Sequence, residues 1–375
     1  MQNNSIKQGE SQSAKNAEHP FSSNHIHLSS IEWFVTLVII LLFVLLAPLI
    51  WAKAQHLVYK DDYRLPYKLG EDYWLYNRLS KVVCASEDNI ILGDSVVWGQ
   101  FVESNQTLSH YLSKLSGKKF ANMGIDGLHP IAAWGLVKYY GEDIKNKNVY
   151  LHFNFLWISS PKNDLQTDKE FDFNHSGLVP QFFRRIPCYY APFSKRLQTV
   201  LTRNSDFLGW VRHLQLLCLQ NSDTDISFPK WFVFHPYQNP FKNAAVKFDS
   251  LFTGAQKAKQ EVQKTETRKT DLPFVEIDKS LQWKYFMQTV DILQKRGNKV
   301  FVIVGPFNEH MLNQPSIDLL TKIKTDAEKI LIDKKIDYIF APVLPEEYFA
   351  DASHPTAAGY EMLAKEIVKR IENNK

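Results

Sequence analysis

The chain has 375 residues, with 44 basic and 40 acidic side chains and a formal net charge of +4. That length suffices for one large α/β body with an insertion, and the near balance of scattered charges excludes a nucleic-acid footprint. Cys84, Cys188 and Cys218 are too few for a disulfide framework and lack the Cys-x-x-Cys spacing of a zinc site, leaving one bridge or three buried thiols as the alternatives.

Residues 1–30, rich in Ser, Asn, Gln and His, read as a disordered tail. From Trp33 to Ala52 the run WFVTLVIILLFVLLAPLIWA carries no charge. At 1.5 Å per residue it matches a hydrocarbon core of roughly 30 Å, so residues 31–53 are expected to form a transmembrane helix. Trp33 and Trp51 stand at its two ends, where indole rings prefer the headgroup region. The run is too long for a cleaved signal peptide, and no small-residue cleavage motif follows it. Lys7 and Lys15 precede the span, whereas Lys53, Lys60, Arg64 and Lys68 follow it, a count that does not favour export of the C-terminal body.

Residues 54–84 read as a juxtamembrane segment, and 85–375 as the globular body. Asn89 to Gly93 reads as a short buried strand leading into Gly93-Asp94-Ser95, followed by a helix from Thr107 to Leu115 stopped by Gly117. Lys119 to Met123 predicts a second strand, Pro130 opens a helix to Tyr140, and Asn148 to Phe153 predicts a third strand. The alternation then breaks over about 155–280, an aromatic-rich stretch without clear period that is expected to form an insertion, a cap or substrate-binding subdomain. It resumes with a helix from Leu281 to Lys295, a buried strand from Lys299 to Gly305, a helix from about Ser316 to Asp333, a strand from Asp337 to Ala341 and a last helix from Thr356 to about Ile371. Strands alternating with helices predict a parallel sheet covered on both faces, a three-layer flavodoxin-like α/β sandwich.

Reactive groups in such a sheet gather at the carboxyl ends of its strands, where this reading places Ser95, Gly127 and Asn154. A serine hydroxyl needs a base to take its proton, and that base needs a carboxylate to orient it; Asp351-Ala352-Ser353-His354 supplies both after the last strand. Gly93-Asp94-Ser95, Asn122-Met123-Gly124-Ile125-Asp126-Gly127, Asn154, and Asp351-Ala352-Ser353-His354-Pro355 with Gly359-Tyr360 resemble, in order, the blocks of the SGNH (GDSL-type) hydrolase superfamily. The resemblance covers roughly 85–155 and 280–372. It implies Ser95 as nucleophile, Asp351 and His354 as its catalytic partners, and an oxyanion hole formed by Ser95, Gly127 and Asn154. Two positions depart from the family pattern: His152-Phe153-Asn154-Phe155 replaces Gly-x-Asn-Asp, and Val96 stands where Leu is usual.

The resemblance further implies an esterase or O-acyltransferase that needs no cofactor and acts on an acylated glycan or lipid of the cell envelope. Its body would be periplasmic, anchored through one helix, and it is similar to alginate-type O-acetyltransferases that work beside a multi-spanning acyl-transfer partner. The alternatives are a catalytically silent envelope assembly or glycan-binding protein, and a lipase or thioesterase with its mouth near the bilayer. Gly124 and Gly127 lack the first glycine and the acidic residue of a dinucleotide fingerprint, and no phosphate loop is present. His129, His152, His235 and His310 have no metal-ligand spacing and read as structural, while Asp126 and Trp98 beside the pocket read as packing or capping residues.

Overall fold

The computed structural model describes residues 28–55, 57–58, 62–219, 246–247 and 269–373. Residues 1–27 of the expected tail (1–30), His235 and much of the insertion therefore lie outside the described residues. The chain divides into two units, Met1–Ala47 and Pro48–Lys375. Helix α1 (Ser30–Ala54) begins in the first and ends in the second; it is long and apolar enough to cross a membrane, and its side chains are almost all exposed.

In the second unit α2 (Tyr73–Ser86) precedes β1 (Asn89–Leu92), the single-turn α3 (Ser95–Trp98), α4 (Leu108–Ser116), β2 (Phe120–Asn122), α5 (Pro130–Tyr140) and β3 (Asn148–Phe153). Helices α6 (Phe193–Arg203) and α7 (Asp206–Leu219) follow, then α8 (Leu281–Lys295), β4 (Lys299–Val304), α9 (Gln314–Asp333), β5 (Asp337–Phe340) and α10 (Ala357–Asn373). The five strands of the main sheet are all parallel and lie in the order β2-β1-β3-β4-β5, the order of flavodoxin-type doubly wound sheets, while Leu57–Val58 and Val246–Lys247 pair as a separate two-stranded parallel sheet.

The strands are apolar on both faces because both are covered. Ile90, Leu92, Val149, Leu151, Phe153, Val300, Val302 and Val304 face one layer, which holds the buried sides of α2, α5, α8 and α9. Ile91, Tyr150, Phe301 and Ile303 face the other, against α4 and α10. Ile90 pairs with Val149 and Leu92 with Leu151, so the carboxyl ends of β1 and β3 finish side by side. Strand order reverses between these two, which opens a crevice above them.

Helix ends follow local chemistry. Thr107 caps α4, which Gly117 stops in the left-handed region (φ +67°), and Pro130 stands in the first turn of α5 behind the capping His129 side chain. The stretch read as juxtamembrane is built into the body. Asp72 caps α2, and Leu75, Tyr76, Leu79 and Val83 enter the core at helical spacing. Between 155 and 219 the insertion contains α6 and α7, and its Leu165, Val179, Ile186 and Cys188 pack with Trp134 of α5 and Tyr285 of α8. All three cysteines are free thiols.

Candidate active site

Each loop leaving the carboxyl edge of the sheet brings one part of a site. After β1, Gly93 and Asp94 turn the chain into α3, and the Asp94 carboxylate caps it by accepting the Val96 N–H at 3.0 Å. A Cβ at Gly93 would stand 2.5 Å from the Val97 side chain and 2.8 Å from His152 Cβ, so only glycine lets β1 turn this sharply beside β3. Ser95 is thereby held at the start of α3, 6% exposed.

The loop after β5 supplies the base. His354 Nδ1 lies 2.7 Å from Asp351 Oδ2, and His354 Nε2 lies 2.7 Å from Ser95 Oγ. A carboxylate only accepts, so the Nδ1 proton points at Asp351 and the neutral ring presents its Nε2 lone pair to the Ser95 hydroxyl. The Ser353 and His354 backbone N–H groups also donate to Asp351 Oδ1, each at 2.9 Å. Partial burial pushes the Asp351 carboxyl up, but the His354 ring and these N–H groups outweigh it and hold the carboxyl below its ordinary value. Burial alone would lower His354; the bond and charge of Asp351, with Asp94 and Asp126 adding, leave it raised. Phe101 meets the His354 ring edge-on at 5.4 Å from a left-handed backbone (φ +67°), a conformation costly for a non-glycine residue.

The loop after β2 lies against α3. Asn122 donates from Nδ2 to Val97 O and accepts the Gly124 N–H, and a Cβ at Gly124 would meet the Trp98 backbone nitrogen at 2.5 Å. Gly124→Ala is therefore expected to cost about 1–3 kcal/mol by overpacking, read as a lower melting temperature of the full chain. Gly127 has φ +69° and faces the Asn174 side chain. The N–H groups of Ser95 and Gly127 are both on buried residues and have no acceptor among the described residues. The Ser95 N–H, in the first turn of α3, is of the kind a helix leaves unpaired, and both groups are open to donate to a bound atom.

Asn154, at the end of β3, accepts the Leu156 N–H and donates from Nδ2 to Asp94 Oδ2 at 2.9 Å, beside a bond from Trp157 Nε1 to the same oxygen at 2.8 Å. On the other side of Asp94, the His152 side chain is fully buried: its Nε2 donates to Gly305 O at 2.9 Å and its Nδ1 lies 3.3 Å from Asp94 Oδ1, outside hydrogen-bond geometry. Burial pushes the Asp94 carboxyl up; His152, Asn154 and the His354 charge prevail and hold it at about 2. Asp94 is thus the anion that orients Asn154, Trp157 and α3 together.

The expected residues Ser95, Asp351 and His354 come together in one chain of hydrogen bonds; Asn154 bonds instead to Asp94, the residue before Ser95, and Gly127 is held on the loop that packs under α3. Sequence reasoning missed the roles of Asp94, Trp157, His152 and Phe101. Only Asp94 had a signal, its place inside the Gly-Asp-Ser motif. Asp126 lies within electrostatic reach of His354, and burial pushes its carboxyl up. His129 accepts the Ala132 N–H and donates to Asn174 O, while burial pushes its ring down to about 3, so it stays a neutral structural residue. No group of His, Cys, Asp and Glu among the described residues is placed to hold a metal ion. Compared with protein-family models and with curated proteins, the sequence matches none.

Proposed function

We propose that this protein is a membrane-anchored serine esterase or acyltransferase of the SGNH type, working through an acyl-enzyme. The observation that carries this reading is the unbroken hydrogen-bonded chain from Asp351 through His354 to Ser95, at 2.7 Å on each side of the imidazole. Ser95 Oγ attacks an acyl carbonyl as His354 Nε2 takes its proton, forming a C–O bond and a tetrahedral oxyanion. The N–H groups of Ser95 and Gly127, with the second Nδ2 proton of Asn154, the first being donated to Asp94, are the donors suited to that charge. Collapse expels the alcohol, which leaves with the proton from His354, and the acyl group then passes from Ser95 to water or to a sugar hydroxyl by the same steps reversed. In this reading the substrate is an acylated glycan or lipid of the cell envelope, the body works on the periplasmic side, and a multi-spanning acyl donor is the partner suited to the transferase version.

A second reading, a silent glycan-binding or assembly protein, draws on the enclosure of the site. Ser95 and His354 are each only 6% exposed, and the cavity behind Asp94, lined by Leu128, Val137 and Phe286, measures about 20 Å³. One experiment separates the two. The purified full chain is treated with a fluorophosphonate and assayed on p-nitrophenyl esters of several lengths, with and without an oligosaccharide acceptor. Adduct mass on Ser95 with ester turnover is the expected result, and acyl on the acceptor makes the enzyme a transferase; a folded chain that neither labels nor turns over leaves the silent reading. In the same assay Asn154→Ala is expected to lower kcat by about 10²–10³ while Ser95 still labels.

A further inference from the structure

Helix α6 is amphipathic, with Phe193, Leu197, Val200 and Leu201 at the spacing of one helical face, yet none of its residues is buried. Phe193 is 70% exposed and Leu201 52%. Its apolar stripe therefore faces away from the core, the reverse of a surface helix in a soluble body. The loop before it continues the patch: Phe183 is 89% exposed, Phe182 meets Phe193 ring to ring at 5.6 Å, and Tyr190 is also exposed.

This patch is firmly built. Ile186, Cys188 and Tyr189 bury themselves against Trp134 and Tyr285, Arg196 donates to Ala191 O and Tyr189 O and covers the Tyr189 ring, and Arg203 donates to Gly177 O and covers the Tyr139 ring. Its charge is one-sided. From Gln181 to Ser205 the sequence holds Arg184, Arg185, Lys195, Arg196 and Arg203 and no acidic residue, and Arg184, Arg185 and Lys195 are exposed around the rings. Helix α6 packs on α7, where Trp210 stands 6.2 Å from Trp51, the indole near the end of α1, while Arg78 donates to Ala52 O at 2.8 Å. Trp210 of α7, on which α6 packs, and Arg78 of α2 thus both hold the residues that end the apolar run.

We infer that the Phe182–Leu201 surface docks on an anionic lipid bilayer, its rings and leucines entering the acyl boundary and Arg184, Arg185 and Lys195 meeting lipid phosphates. An amphipathic helix with a basic rim lying in the interface plane has this chemistry. The inference does not depend on the ester chemistry of Ser95. It would hold the body against the membrane at two places, α1 and this patch.

The test uses the full chain, one copy per nanodisc, in phosphatidylcholine alone or mixed with phosphatidylglycerol, with hydroxyl-radical oxidation of side chains read by mass spectrometry. Oxidation of Phe183 and Phe193 is expected to fall about tenfold in the anionic discs and to recover at high salt, while Val343 and Met362, exposed outside the patch, are unchanged. The variant Arg184→Gln/Arg185→Gln/Lys195→Gln is expected to abolish the difference between disc types. Equal oxidation in both discs at all salt concentrations overturns the inference. Protection seen only with two copies per disc also overturns it and assigns the surface to a second copy of this chain.

Discussion

Ser95→Ala is expected to bring ester turnover down to the uncatalysed background, a loss of ~10⁶ in kcat, while the protein keeps its fold. Removing one hydroxyl from a side chain at the start of α3 leaves the apolar core of Val96, Val97 and Trp98 intact, so the melting temperature should move little. His354→Ala is expected to lose about as much. The double variant is expected to be no slower than either single one, because nucleophile and base act as one unit. A Ser95→Ala protein that still turns over p-nitrophenyl acetate at the wild-type rate would place the chemistry elsewhere.

Asp351→Asn is expected to cost ~10⁴ in kcat and to change the pH profile as well. The catalytic ring must be neutral at Nε2, and the folded protein holds the His354 pKa above its ordinary value, so wild-type kcat/KM should rise with pH through a midpoint above about 6.5. Removing the carboxylate removes the largest influence that raises the ring, and the acid limb should move to lower pH even as the plateau falls. An unshifted limb would mean that another group controls it. The linked effect on stability has the opposite sense. The raised His354 pKa contributes stability that is complete below the ordinary histidine value and lost as pH climbs through the folded one; the lowered Asp351 pKa contributes above the ordinary carboxylate value and is lost as pH falls through its own. The pair therefore steadies its loop most between about pH 4 and 6.5, on the acid side of the range in which it works.

Much of this architecture was legible because strand and helix patterns were strong where both faces of an element are buried. The run Lys299–Val304 has no polar residue after its first, and its observed span stops one residue short of expectation, at Val304. Helix α9 begins at Gln314, two residues before the expected start, because Asn313 caps it from outside the apolar period. Helix α2 was hidden by its position: its period is clear at Leu75, Leu79 and Val83, but it follows an apolar span and reads as connection. Helix α6 was illegible for another reason, since apolar residues facing outward among aromatic loops give no boundary between core and surface. At the site, Ser95, Asp351 and His354 were readable from the order of short motifs. The support from His152 was not, because its two contacts, with Asp94 and with the Gly305 carbonyl, join parts of the chain that only the sheet brings together.

That sheet also separates nucleophile and base by 259 positions along the polypeptide, and this distance sets a clock. A ribosome finishes Ser95 early and His354 late, and Tyr360 of α10 reaches back to donate its hydroxyl to Val96 O. Until His354 has been made, the Ser95 hydroxyl lacks the ring that would draw off its proton. On the proposed mechanism, a chain interrupted before His354 carries the serine without its base and is expected to be inert.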